Sequence, residues 1–277
     1  MKTRIVALLL IIVFLSSLFA CSTPKPIELE LRFLDVGQGD AILLRTAKGD
    51  VLIDAGSDSS QEELCLRLEQ LGIKELALAV FTHSDEDHIG GADGVLRRFP
   101  TQTVWISAFF EDNLCTQMLL DAARDTGAEV VEVANGHHTM LSTTGIAVFS
   151  PCGAMEGADD NDRSIVLKIA CQNFSALLMG DASSYAENTL FAAHDRTQLD
   201  CDILKVAHHG ASSSTSPALL RAATPDYAII SCGAGNLYGH PHGELLERLK
   251  DVGAEILRTD LQGEIVFHTD GDTVWQP

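Results

Sequence analysis

Basic side chains are scarce in this sequence. Against 39 Asp and Glu stand only 19 Lys and Arg, a formal net charge of −20 over 277 residues. Proteins that coat nucleic acid need many cations to neutralise phosphates, so a long DNA-coating footprint is excluded, though a local site is not. None of the seven cysteines forms a CxxC pair, which removes the usual paired-thiol metal and redox motifs. The six beyond Cys21 (Cys65, Cys115, Cys152, Cys171, Cys201 and Cys232) are scattered, and a chain of this size needs no disulfide staples, so buried free thiols are expected. After the first twenty residues there is no second long apolar run, no internal repeat and no long linker. With 46% hydrophobic and 21% charged residues, the composition rules out disordered and collagen-like chains.

Residues 1–20 read apart from the rest. Lys2 and Arg4 precede the apolar run IVALLLIIVFL, and SSLFAC follows it: a charged start, a short apolar stretch and small residues, the pattern of an export signal. The stretch from Ile5 to Ala20 contains Ser16 and Ser17 and falls short of the ~20 residues a spanning helix prefers. Its ending, Leu18–Cys21, resembles the lipobox of bacterial lipoproteins, whose cysteine is acylated; the alternative is a plain secretory signal cut near Ala20. The expected layout is a signal peptide over 1–20, a lipid on Cys21, a tether over 21–28 and one domain over 29–277. Its body would be anchored on the outer face of the cytoplasmic membrane, or else secreted. Cleavage leaves 17 basic against 39 acidic side chains, a net of −22 that keeps such a body soluble and away from anionic surfaces.

Periodicity then sets the elements. The segment from Leu29 to Gly56 alternates apolar and polar residues, is broken by GQG and KGD, and predicts three antiparallel strands. In residues 60–71, Leu64, Leu68 and Leu71 recur at helical spacing, and Gly72 ends the helix. Beyond the buried strand LALAVF, helices are expected over 92–98, 113–126, 184–193, 217–223 and 243–251. The strands TVWIS, AEVVEV, SIVLKIA, SALLMG, DILKVA, YAII, EILRT and EIVFH lie between or after them. Meanders followed by interleaved strands and helices predict two mixed sheets with helices outside.

Chemistry gathers where apolar strands end. VLIDAG ends in Asp54, AVFTHSD in His83, ALLMGD in Asp181, and ILKVAHHG in His208 and His209. Loops at one end of a layered α/β sheet converge on its ligand site, so four such endings point to one site. THSDEDHIGG packs His83, Asp85, Glu86, Asp87 and His88 together, and carboxylates this dense repel unless a cation or free solvation relieves them. The spacing of His83, Asp85 and Asp87 puts them on one side only of an extended backbone, with Gly90 and Gly91 allowing a sharp exit into a helix.

HSDEDH resembles the HxHxDH signature of the metallo-β-lactamase fold. FLDVGQGDAILL, VLIDAG, NDRSIVLKI, LLMGD, LKVAHHGASSS and YGHPH, in order from Phe33 to Ile265, together resemble the C-terminal hydrolase domain of the ComEC competence-protein family. The resemblance implies a four-layer αββα sandwich holding two divalent metal ions, manganese or zinc. It implies His83, Asp85, Asp87, His88, Asp181 and His208 as ligands, with His209 as the competing imidazole and Asp162 or Asn161 where many members place another histidine. Asp54 is expected to orient the loop by hydrogen bonds. Asp85 stands where the general signature has histidine, which makes the site harder and manganese as fitting as zinc.

Asp87 and His240 are the expected catalytic residues: Asp87, or else Asp181, orients the nucleophile, and His240 donates to a phosphate oxygen or leaving group. His240 could equally be a structural turn histidine. In ASSSTS, Ser216 reads as a helix cap before Pro217; Asp35, Gln38 and Asp40 read as turn and pocket floor, and Lys205 as the partner of a carboxylate. The expected function is a metal-dependent phosphodiesterase or nuclease that binds extracellular DNA weakly and locally. Hydrolysis of an ester, thioester or lactam, or non-catalytic binding of metal or a partner, is the alternative.

Overall fold

The computed structural model describes residues 25–153, 155 and 158–277. The expected signal segment, its cleavage point and Cys21 lie outside the described residues. Strands β1 (Leu29–Phe33), β2 (Ile42–Thr46) and β3 (Gly49–Ile53) form the expected antiparallel meander. The chain then alternates. Helix α1 (Gln61–Gln70) leads to β4 (Leu76–Phe81), the short α2 (Glu86–Ile89) and α3 (Ala92–Arg98) lead to β5 (Thr101–Ser107), and α4 (Leu114–Thr126) leads to β6 (Glu129–Val133). These crossovers make β3 to β6 parallel.

A second sheet repeats the plan. Strands β7 (His138–Leu141), β8 (Thr144–Ser150), β9 (Val166–Cys171) and β10 (Phe174–Leu178) are antiparallel. Helix α5 (Ser184–Ala193), β11 (Ile203–Lys205), α6 (Pro217–Ala223), β12 (Tyr227–Ile230), α7 (Gly243–Asp251) and β13 (Glu255–Arg258) continue it in parallel. Through α8 (Thr259–Gln262) the chain returns to β14 (Ile265–Thr269) and β15 (Val274–Trp275), which extend the first sheet beside β1. Strand orders are β15-β14-β1-β2-β3-β4-β5-β6 and β13-β12-β11-β10-β9-β8-β7.

Three apolar layers hold four structural ones together. Leu29, Leu31 and Phe33 alternate with Glu30 and Arg32, so one face of β1 turns inward. There it joins Phe267 of β14 and, from the facing sheet, Leu167 and Ile169 of β9. Burying Phe33 or Phe267 contributes about 1.5–3 kcal/mol each. Leu64 and Leu68 of α1 and Leu119 of α4 cover the outer face of the first sheet; Leu190 of α5, Leu219 of α6 and Leu245 of α7 cover that of the second. The result is the αββα sandwich.

Local chemistry sets the helix ends. Asn113 caps α4 by accepting from Thr116 N, and Gly127, at φ 79°, ends it in the left-handed region that favours glycine. Ser216 accepts from Leu219 N ahead of Pro217, so the serine run does end in a cap. All six described cysteines are free thiols; five are buried as expected, and Cys115 is part-exposed.

The His83 to His88 motif departs from expectation. Only its first part is extended: Asp85 (ψ 145°) is the last extended residue, and α2 begins at Glu86. Asp87 and His88 therefore sit on a helical turn, and the motif divides into two groups. Gly90 and Gly91 have ordinary right-handed torsions and serve close packing instead. A Cβ on Gly90 would collide with Asp58 N, and one on Gly91 with the Ala55 carbonyl oxygen.

Candidate metal centre

Asp54 sits at φ 57° just past β3, almost fully buried, and its carboxylate gathers three donors. Thr82 N donates to Oδ1 at 2.8 Å, while the Thr82 hydroxyl and His88 Nδ1 each donate to Oδ2 at 2.8 Å. With its proton directed at Asp54, the Thr82 hydroxyl accepts from His83 Nδ1 at 3.1 Å. One carboxylate thus fixes two imidazoles with Nδ1 protonated and the Nε2 lone pair free. An orienting role for Asp54 would act through these bonds.

His209 is set the same way from the other sheet, its Nδ1 donating to the Ser231 carbonyl at 2.9 Å. Its Nε2 faces His88 Nε2 at 3.2 Å, Asp87 Oδ2 at 3.3 Å and Asp181 Oδ2 at 3.5 Å; His88 Nε2 also lies 3.2 Å from Asp181 Oδ1. Two imidazole lone pairs at that separation repel unless a proton or a cation lies between them. The structure places His209 here, and not His208. Both residues stand at positive φ, 50° and 51°, but the His208 ring is part-exposed with Nε2 3.8 Å from Asp181 Oδ2, whereas His209 is buried. The Ser231 carbonyl holds the His209 ring against Asp87 and Asp181, while His208 lines the same cavity from its edge.

A second group forms on the other half of the motif. His83 Nε2 lies 3.6 Å from Asp85 Oδ2, and Asp160 brings a carboxylate within reach of both. Asp160 Oδ2 accepts from Ser84 N at 2.9 Å and Ser84 Oγ at 2.7 Å. Asp160 is the residue sequence reasoning missed. Asp162, the expected candidate, instead accepts from the hydroxyl of Ser183, the cap of α5, because a 3-10 turn over Asn161–Arg163 carries it away. Asn161 reaches only His208, with Nδ2 at 3.5 Å from Nδ1.

Four buried acceptor atoms of the two groups have no hydrogen-bond partner: Asp40 Oδ1, His83 Nε2, Asp160 Oδ1 and Asp181 Oδ1. Unpartnered buried acceptors are costly, and a set consisting only of acceptors is what a cation satisfies. The donor set therefore fits divalent ions, with Asp40, His88, Asp181 and His209 as one group, beside which Asp87 Oδ2 lies 3.3 Å from His209 Nε2, and His83, Asp85 and Asp160 as the other.

The electrostatics agree. Burial would push the Asp87 carboxyl up, but the His209 hydrogen bond and the His88 charge outweigh it and hold it at about 2. Burial likewise disfavours charge on His88, yet Asp181 and Asp54 raise it well above its ordinary value; His209 is raised against burial by Asp181 and Asp87. Beneath them Lys205, fully buried, pairs Asp40 at 2.7 Å and donates to the Val206 carbonyl at 2.9 Å. Asp40 Oδ1 stays unpartnered 3.6 Å from His209 Nδ1, placing it nearer the centre than a mere pocket floor.

His240 stands at the rim, its ring centroid 5.6 Å from that of His208 and 6.4 Å from that of His209. Burial, then the charges of His208 and His209, push its pKa down to about 4, so it is a neutral imidazole at pH 7. The HHG and GHPH segments touch closely: a Cβ on Gly210 would lie 2.5 Å from the Pro241 Cβ.

The metallo-β-lactamase superfamily model matches residues 34–114. ComE operon protein 3 of Bacillus subtilis is 31% identical over 92% of this chain and 34% of its own length. Recombination protein 2 of Haemophilus influenzae is 32% identical over 84% of the chain and 28% of its length. The chain thus spans about a third of the curated relatives it matches. Among solved structures, the metallo-β-lactamase-fold protein YhfI of B. subtilis superposes with a TM-score of 0.55 at 12% identity, covering 87% of this chain and 99% of that one, a likeness of fold alone. The chain carries the metallo-β-lactamase fold and is related over most of its length to competence proteins of the ComEC family.

Proposed function

We propose that this protein is a metal-dependent phosphodiesterase that cleaves DNA. The observation that carries the reading is the convergence of buried, unpartnered acceptors from both sheets on one space, with His88 Nε2 and His209 Nε2 3.2 Å apart. Two divalent ions held there would supply Lewis acidity toward a phosphoryl oxygen and a nucleophilic water at neutral pH. The carboxylate-rich donor set suits manganese at least as well as zinc. Asp87, only part-buried at the mouth, accepts a hydrogen bond from the attacking water and orients it. His240, neutral, donates an N–H to a phosphate oxygen or the leaving oxygen. Relatives named for competence and recombination favour DNA over esters or lactams.

The test is labelled single-stranded DNA with manganese or zinc. Wild type should cut it, and Asp87→Ala should lower turnover at least a hundredfold. Turnover of nitrocefin or thioesters with DNA left intact would transfer the reading to the alternative hydrolases. Metal uptake without turnover of any substrate would leave a binding protein. Export and lipidation of Cys21 remain part of this proposal; palmitate labelling lost in Cys21→Ser supports them, and an unlabelled wild type overturns them. Among the described residues no helix is long and apolar enough to cross a membrane.

A further inference from the structure

Past Tyr238 the metal-site cavity opens into a larger one. The smaller, about 110 Å³, has Asp85, Asp87, Asp181, His209, His240 and Tyr238 in its lining. The larger, about 670 Å³, shares Gln38, Asp85, Asp87 and Tyr238 with it and extends between Ser57 and Leu237. Tyr238 stands where the two cavities meet. Among the described residues, neither lining includes Lys or Arg, while Asp85, Glu86 and Asp87 line the larger one. Such a cavity repels a second phosphate and must hold the neutral part of a substrate.

The far wall is apolar and braced. Leu237 is 100% exposed and Tyr238 66% exposed. Isolated exposed apolar residues are ordinary, but these two sit on a turn that cannot fold them away. Asn236 Nδ2 donates to the carbonyls of Gly233 at 2.9 Å and His240 at 2.6 Å, and Asn236 Oδ1 accepts from His240 N at 3.0 Å. His242 Nε2 lies 3.3 Å from the Tyr238 carbonyl oxygen. The Tyr238 ring runs nearly parallel to that of His240, 5.6 Å away at 21°. The backbone of the turn is thus held in place at the rim, and it presents the planar Tyr238 face to solvent beside His240.

We propose that Tyr238, with Leu237 beside it, is a stacking platform for one unpaired nucleobase of the strand whose phosphate enters the metal-site cavity. The proposal rests on the phosphodiesterase reading and names how that site takes its substrate. Every base has a π-face, so the platform selects single strands without selecting sequence; a base in a duplex is already stacked. It also explains how a strongly acidic protein holds DNA at all, since stacking needs no cation.

Affinity for oligothymidylate, compared with an abasic sugar-phosphate strand of equal length and with calcium replacing manganese, tests the platform directly. Wild type should prefer the thymidylate about tenfold, the size expected of one base–aromatic stack. Tyr238→Ala should abolish that preference, and Tyr238→Phe, which keeps the ring, should retain it. A wild type without preference, or Tyr238→Ala with the full preference, overturns the proposal. If manganese leaves the strand uncut while the tenfold preference and its loss in Tyr238→Ala persist, the hydrolase reading fails and the platform stands.

Discussion

Replacing Asp54 by Asn changes one oxygen to an amino group at the point where two histidines are set. The new amide can still accept from Thr82 N through Oδ1, but its NH2 would stand where Oδ2 now receives the Thr82 hydroxyl and His88 Nδ1, each at 2.8 Å. The hydroxyl can rotate and accept. With the amide set this way His88 avoids a donor–donor clash by moving its proton to Nε2, where it would point at His209 Nε2 and Asp181 Oδ1, both 3.2 Å away, and block metal binding; with the amide turned over, the NH2 opposes Thr82 N instead and strains the same loop. Loss of such an orienting partner weakens metal binding 10- to 100-fold, about 1.4–2.7 kcal/mol. Because the Thr82 hydroxyl also holds His83, the upper end is expected. Calorimetric titration of the metal-free variant with manganese measures the affinity, and nitrogen NMR of labelled histidine reports the tautomer. An affinity within twofold of wild type, or His88 still protonated at Nδ1, would refute the reasoning.

Lys205→Met removes the only cation bonded to buried Asp40 among the described residues and should cost the metal-free protein about 3–5 kcal/mol of unfolding free energy. Adding Asp40→Asn should restore part of it; a cost below about 1 kcal/mol in urea denaturation would contradict the pairing. Glu264 accepts from Arg67 and pairs Arg32; burial pushes its carboxyl up, but these two partners outweigh it and hold it below the ordinary range. A carboxyl lowered in the folded state stabilises fully above its unfolded value of about 4.3 and loses that contribution as pH falls through the lower folded one. Glu264→Gln should therefore cost about 1 kcal/mol at pH 7 and progressively less in acid, and a constant difference between pH 7 and pH 3 would rule this out.

Much of the architecture was legible because it is written in short-range patterns. LELRF alternates as one buried face requires, and the apolar strands end in Asp or His where the loops converge. That Asp54 would sit among donors was legible, since a carboxylate at a buried strand end needs them. Three features depended on contacts between distant segments. His208 and His209 are adjacent, and the carbonyl that chooses between them belongs to Ser231. Asp160 and Asp162 lie two residues apart, and the 3-10 turn between them decides which meets Ser84. The helical start at Glu86 follows from packing of Gly90 and Gly91 on residues 55–58, which the spacing of the motif alone does not contain.

The inward-facing groups come from different halves of the molecule: Asp54, His83, Asp87 and His88 follow strands of the eight-stranded sheet, while Asp181, His209 and His240 follow strands of the seven-stranded one. An ion shared by both sets, as proposed, would be a rivet through the seam. Occupancy at a thousand times the dissociation constant would add about 4 kcal/mol to the cohesion of the two halves, and the metal content of the surroundings would then govern how long the folded body survives.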